Sequence, residues 1–184
     1  QGFNRVFSPL EYTEATVKGT SIIFCTPNGS VAMYKSRFAQ NLAIGSFINI
    51  STVIEFIKEI QSDILLICAG KVNTVSNFSL EDTVCAGMIV HKLSAAKEIK
   101  LELTDSSLAS QALYKTYGRS LLKLMKNTEH GKYLVEIGFL EDIKVAAAVD
   151  SYPVLPVLSG NVIKLRREET KPAENEPAPR KGNA

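Results

Sequence analysis

The sequence predicts an α/β fold of three layers, a mixed and largely parallel sheet with helices packed on it. Two observations carry this. Ser21–Thr26 and Ile64–Ala69 are apolar runs of strand length with no polar alternation, the pattern of strands buried on both faces. Each ends in a small, polar or glycine-bearing loop that feeds a helical pattern, and Asn41–Ile44 repeats the arrangement. In such a sheet the loop ends converge on one edge, where ligands usually bind.

In chain order, residues 1–19 read as irregular structure, with Pro9 disfavouring helix just before it and Gly19 closing the segment. After the run Ser21–Thr26, Pro27-Asn28-Gly29-Ser30 breaks the strand. Val31 to Gln40 then carries Met33, Tyr34 and Phe38 at roughly helical spacing, with Ser30 as N-cap. Asn41–Ile44 leads into the turn Gly45-Ser46-Phe47-Ile48-Asn49. Ser51 to Gln61 places Val53, Phe56, Ile57 and Ile60 on one helical face, with Thr52 and Glu55 in capping-box spacing.

The run Ile64–Ala69 is followed by a polar loop from Gly70 to Asn77 and a central helix from Ser79 to Ser94. Glu98–Leu103 fits a strand or a helix extension. Asp105 is the expected N-cap of a long helix to Lys126, with Leu113, Tyr117, Leu121 and Leu124 as its apolar stripe. Gly118 weakens that helix by roughly 1 kcal/mol relative to alanine. His130–Gly138 reads as a short helix closed by its glycine. Asp142–Val149 fits helix and strand equally. Val154–Leu158 and Val162–Leu165 read as a hairpin turning at Ser159-Gly160-Asn161, with Pro156 placing its strand at an edge. Residues 1–165 are thus one domain. The Glu, Lys, Pro and Ala composition of residues 166–184 predicts a disordered tail.

The 184 residues are enough for one domain with a real core, and 45% hydrophobic with 22% charged residues is the balance of a globular protein. A net charge of +2 argues against a nucleic-acid partner. No apolar run approaches the roughly 20 residues of a membrane span. Cys25, Cys68 and Cys85 sit beside apolar or small residues without CxxC pairing. They read as reduced, buried thiols, which predicts a cytoplasmic location.

The stretch with most chemistry is Phe78-Ser79-Leu80-Glu81-Asp82-Thr83-Val84-Cys85-Ala86-Gly87. It sets two adjacent carboxylates at the start of a helix, just after a strand and a loop. One reading is structural: Ser79 caps, Asp82 takes the capping-box position, and both acids complement the helix dipole. The other is that at least one carboxylate holds a divalent cation or positions water; Mg²⁺ needs only one or two carboxylates because it keeps several waters. The turns Asn28-Gly29-Ser30 and Gly45–Asn49 have donors suited to phosphate or sulfonate oxygens, or to ordinary turn chemistry. Neither is a Walker A loop. His91 and His130 lack metal-pair spacing, and Arg37 and Lys71 are candidate anion partners.

The stretch Ser79 to Gly87 resembles the most distinctive motif of the 2-phosphosulfolactate phosphatase family. Other pieces follow in that family's order: Ser8-Pro9-Leu10-Glu11-Tyr12, Asn28-Gly29-Ser30, Gly45-Ser46-Phe47-Ile48-Asn49, Cys68-Ala69-Gly70, His130-Gly131, Asp150 and Val154-Leu155-Pro156-Val157. The resemblance spans roughly residues 2–165. It implies a Mg²⁺-dependent phosphatase acting on 2-phospho-3-sulfolactate, a small phosphorylated and sulfonated acid, in coenzyme M synthesis. By position it implies metal binding and water positioning by Glu81 and Asp82. Substrate contacts fall to Asn28, Gly29, Ser30, Ser46, Asn49 and Ser79. The family pattern also has an Asp-Val-Leu-Arg-Ala-Thr-like segment ahead of the region that begins here. This predicts a fragment with an incomplete site and an uncovered sheet edge, and with it self-association into a homo-oligomer. Thr26-Pro27 stands where Thr-Thr is common. The competing expectation is a non-catalytic anion-binding or assembly domain of the same fold.

Overall fold

The computed structural model describes residues 8–71 and 77–166. It combines eight helices and one hairpin among those residues: α1 (Glu14–Val17), α2 (Gly29–Lys35), α3 (Ile50–Ile60), α4 (Leu80–Ala95), α5 (Asp105–Tyr117), α6 (Leu121–Asn127), α7 (Glu129–Glu136), α8 (Leu140–Ala146), β1 (Pro156–Ser159) and β2 (Val162–Leu165). The expected tail, from residue 167 on, lies outside the described residues, as does most of the loop after Lys71.

The core forms where α3 meets α4 and where α6 and Leu155 close over them. Phe47, Val53, Ile54, Phe56, Met88, Ile89, Leu121 and Leu124 pack around Ile50 and Val84, both fully buried. The apolar stripe predicted for residues 51–61 is thus the face α3 buries. Burying each such side chain stabilises the fold by about 1.5–3 kcal/mol before chain entropy is counted. The α4–α5 pair is the most extensive helix contact. Gly87 makes it possible, since a Cβ there would overlap the carbonyl oxygen of Ser110.

Several caps differ from expectation. Residue 30 lies inside α2; Thr26 Oγ1 accepts the Gly29 N–H (2.9 Å), and Ser30 Oγ accepts the Thr26 N–H (3.0 Å). At α3 the capping box belongs to Ser46 and Asn49, on a 3-10 turn at Phe47–Asn49, rather than to Thr52 and Glu55. Asp150 then joins in, accepting from the Ser51 N–H (2.7 Å) and the Ser51 hydroxyl (2.6 Å). Thr104, not Asp105, caps α5. The long helix expected to reach Lys126 breaks at a 3-10 turn, Gly118–Ser120, and restarts as α6. Of residues 142–149, 142–146 are helical, as the end of α8, and 147–149 are not; residues 98–103 are neither strand nor helix.

The largest departure concerns the sheet. Among the described residues the only named sheet is the antiparallel β1–β2 pair, with Ala43 bridging Val157 on the other side of β1. Pro156 is therefore not at a free edge: its carbonyl accepts the Ile44 N–H (2.9 Å), a role needing no proline N–H. Residues 21–26 and 64–69 form no named strand, and no backbone ladder joins either run to another among the described residues. Ile23 is 96% exposed and Leu65 80%. Their composition is that of buried strands, but a strand is defined by its neighbour, which local sequence does not contain.

Candidate active site

α4 begins where the sequence set its cap. Ser79, in extended conformation, accepts the Asp82 N–H at 3.3 Å, and Thr83 Oγ1 donates to the Ser79 carbonyl at 2.8 Å. Glu81 and Asp82 thereby occupy the first turn, at the positive end of a 16-residue helix. Only half the expected capping box forms. Asp82 Oδ2 instead accepts the Gly70 N–H at 2.9 Å, fastening the end of the 64–69 run to the helix. Gly70 takes a left-handed φ of +69°, which brings the Lys71 N–H to the Asn77 carbonyl at 3.2 Å.

Glu81 Oε2 is buried and has no hydrogen-bond partner among the described residues. A buried polar atom left this way costs about 1–3 kcal/mol, and more when charged. Neighbouring charge is close by. Lys71 Nζ lies 2.6 Å from Glu129 Oε2, and its pKa is raised first by that bond and also by the charge of Glu81. The same bond holds the Glu129 carboxyl below the usual range. One acid from the α4 start, Glu81, and one from the α7 start, Glu129, therefore act on one lysine from the loop.

The nearby thiols stay protonated. Burial, with Asp82 adding to it, pushes Cys85 up to about 12. Cys68, although its residue surface is exposed, is raised by local desolvation and then by Asp82. Neither is a thiolate nucleophile at neutral pH.

The other expected site residues are placed differently. Asn49 is buried and its amide is saturated: Oδ1 accepts the Ser46 N–H (2.8 Å), while Nδ2 donates to the carbonyls of Ile44 and Val154 (both 3.0 Å). Gly45, beside it, packs near Ile89. That residue lies eight positions along α4 from Glu81, about 12 Å at 1.5 Å per residue. The Gly45–Asn49 turn thus braces the middle of α4, not its start. Asn28, Gly29 and Ser30 form the start of α2. Arg37 lies over the rings of Tyr34 (3.9 Å) and Phe38 (4.2 Å) and donates to the Tyr34 carbonyl. His91 packs against Tyr114. Glu129 was not foreseen; only its place after Thr128 in a capping pattern marks it in the sequence.

Among the described residues no three His, Cys, Asp or Glu side chains form a metal cluster. The donor set at α4 is carboxylate oxygen, and the orphaned Glu81 Oε2 is an oxygen of the kind a hard cation takes. No helix of the described residues is long and apolar enough to cross a membrane.

A family model described as 2-phosphosulpholactate phosphatase matches residues 1–161. The chain is 36% identical over 168 residues to a probable 2-phosphosulfolactate phosphatase of Caldanaerobacter subterraneus, covering 91% of this chain and 68% of that protein. It is 37% identical over 165 residues to one of Symbiobacterium thermophilum, covering 89% and 69%. To one of Thermotoga maritima it is 34% identical over 166 residues, covering 90% and 69%. The chain thus spans about two thirds of the length of each.

Proposed function

The chain belongs to the 2-phosphosulpholactate phosphatase family, and from that premise we propose that it hydrolyses the phosphate ester of 2-phospho-3-sulfolactate to sulfolactate and phosphate, using Mg²⁺ at the start of α4. The observation that carries the site is the buried, unpartnered Oε2 of Glu81 beside Asp82. These two residues would hold the ion, with waters and phosphoryl oxygens completing its shell. Bound there, the cation supplies neutralisation of charge on the phosphoryl oxygens.

The chain's own groups do the rest. Asp82 keeps its orientation through the Gly70 N–H on Oδ2 and has Oδ1 to orient the attacking water and accept its proton. Lys71, steadied by Glu129, adds a positive charge facing Glu81. On the family resemblance, Asn28, Gly29 and Ser30 are assigned to substrate oxygens. Asn49 is left out because its amide is already spent on the chain's own groups, and Ser46 with it because the two close one turn. Ser79 stays, since its oxygen accepts one backbone N–H and keeps its own proton to donate. The same premise assigns residues 21–26 and 64–69 to strands of the largely parallel three-layer sheet when partner strands cover them, a reading their apolar composition supports.

The test is phosphate release from 2-phospho-3-sulfolactate by the full-length protein. Saturable release that stops with EDTA and returns with Mg²⁺ is expected. A folded, Mg²⁺-loaded protein that releases nothing, yet melts at higher temperature with phosphate, would instead be the anion-binding domain.

A further inference from the structure

Beside the start of α4 runs a cleft that the reaction just described does not use. It measures about 530 Å³ and lies between Leu80, the α5–α6 junction and Thr128. Its floor is apolar, from Leu80 and Leu124, and its charged walls are Arg119 and Lys123. Among the described residues no carboxylate lines it. A second cleft of about 480 Å³ shares Ser120, Lys123 and Asn127 with it and adds Lys126 and Lys132, against one acid, Glu136. The exposed side chains of these four basic residues form no ion pair or side-chain hydrogen bond among the described residues.

The concentration of charge is notable in a chain whose net charge is only +2. Four cations with one acid, Glu136, among them repel one another on balance, and a bound anion relieves that repulsion. The fold creates the arrangement. Gly118 ends α5, a 3-10 turn follows, and Arg119 from the turn and Lys123 from α6 line one cleft. The position matters as much as the charge. Leu80 is the residue before Glu81, and Thr128 is the residue before Glu129, the partner of Lys71. The cleft's border thus runs through the chain neighbours of the two carboxylates that act on Lys71.

We propose that Arg119 and Lys123 form a subsite for the non-reacting sulfonate or carboxylate end of the substrate, with Lys126 and Lys132 extending the positive field along the approach. This rests on the phosphatase reading above. A sulfonate is a weak base that stays ionised, so charge rather than proton exchange selects it. A guanidinium and an ammonium over an apolar floor suit that task. Substrates with one anionic group gain nothing from the subsite, so it acts as a specificity determinant.

The test uses sulfoacetate, which has both a sulfonate and a carboxylate but no phosphate, titrated into the full-length protein by calorimetry. Arg119→Ala/Lys123→Ala should weaken sulfoacetate roughly tenfold or more and leave inorganic phosphate within about twofold. Lys123→Arg should retain binding. In turnover, the double variant should raise KM for 2-phospho-3-sulfolactate by a similar factor with kcat little changed, and leave p-nitrophenyl phosphate unaffected. Wild-type protein that does not bind sulfoacetate, a double variant that binds it unchanged, or equal weakening of phosphate would each overturn the subsite. Failure of the wild type to release phosphate from any ester would sink the phosphatase reading, while the sulfoacetate titration would still decide whether the cleft binds anions.

Discussion

Replacing Glu81 by glutamine is expected to lower phosphate release by about 100-fold or more while making the metal-free protein more stable. The two effects have one cause. Glu81 Oε2 is buried without a partner among the described residues, so the metal-free fold bears the cost of a desolvated charged oxygen. Glutamine keeps the shape and removes the charge, which should recover about 1 kcal/mol, seen as a small rise in Tm. The same change takes away a carboxylate the cation needs, and losses of that order follow when a charge-stabilising group is removed. Mg²⁺ should raise the Tm of the wild type and not that of E81Q. A variant that melts at the wild-type temperature and still responds to Mg²⁺ would show that this carboxylate is neither strained nor a ligand. Asp82→Asn is the less clean experiment, because Oδ2 also anchors Gly70.

Gly87→Val should destabilise the fold by about 3 kcal/mol, lowering Tm by roughly 10 °C. α4 and α5 approach so closely at this point that even a Cβ overlaps the Ser110 carbonyl oxygen and comes within 3.0 Å of Tyr114 Cβ. The obstacle is backbone, so no rotamer change relieves it. Gly138 provides the contrast. Its Cβ would meet nothing within 4 Å, but its φ is +91°. Gly138→Ala should therefore cost about 1 kcal/mol through backbone strain alone. Equal melting temperatures for the two variants would mean that the helices do not cross at Gly87.

The elements that could be read from sequence are those whose cause is local. Ser79 and the acids behind it mark the start of α4, and Val53, Phe56, Ile57 and Ile60 give α3 to within a residue. What could not be read depends on distant chain. Lys71 and Glu129 are 58 positions apart, and nothing near either announces the other. Arg119 and Lys123, four positions apart, share a helical face in any case, but the cleft they line is completed by Leu80 and Thr128 from other parts of the chain. Asn49 shows the reverse case. An asparagine beside glycine and serine has the donors for a phosphate, but here tertiary carbonyls 5 and 105 positions away claim them. A turn that grips a ligand and a turn that grips its own chain have the same spelling.

The bare runs at 21–26 and 64–69 also bear on how the protein behaves in a tube. Apolar adhesion weakens on cooling, unlike most attractions between molecules. Concentrated samples should then cloud as they warm and clear again on ice, well below the temperature at which the helical core melts. Swapping Leu65 or Ile23 for lysine should remove the clouding without moving that melt.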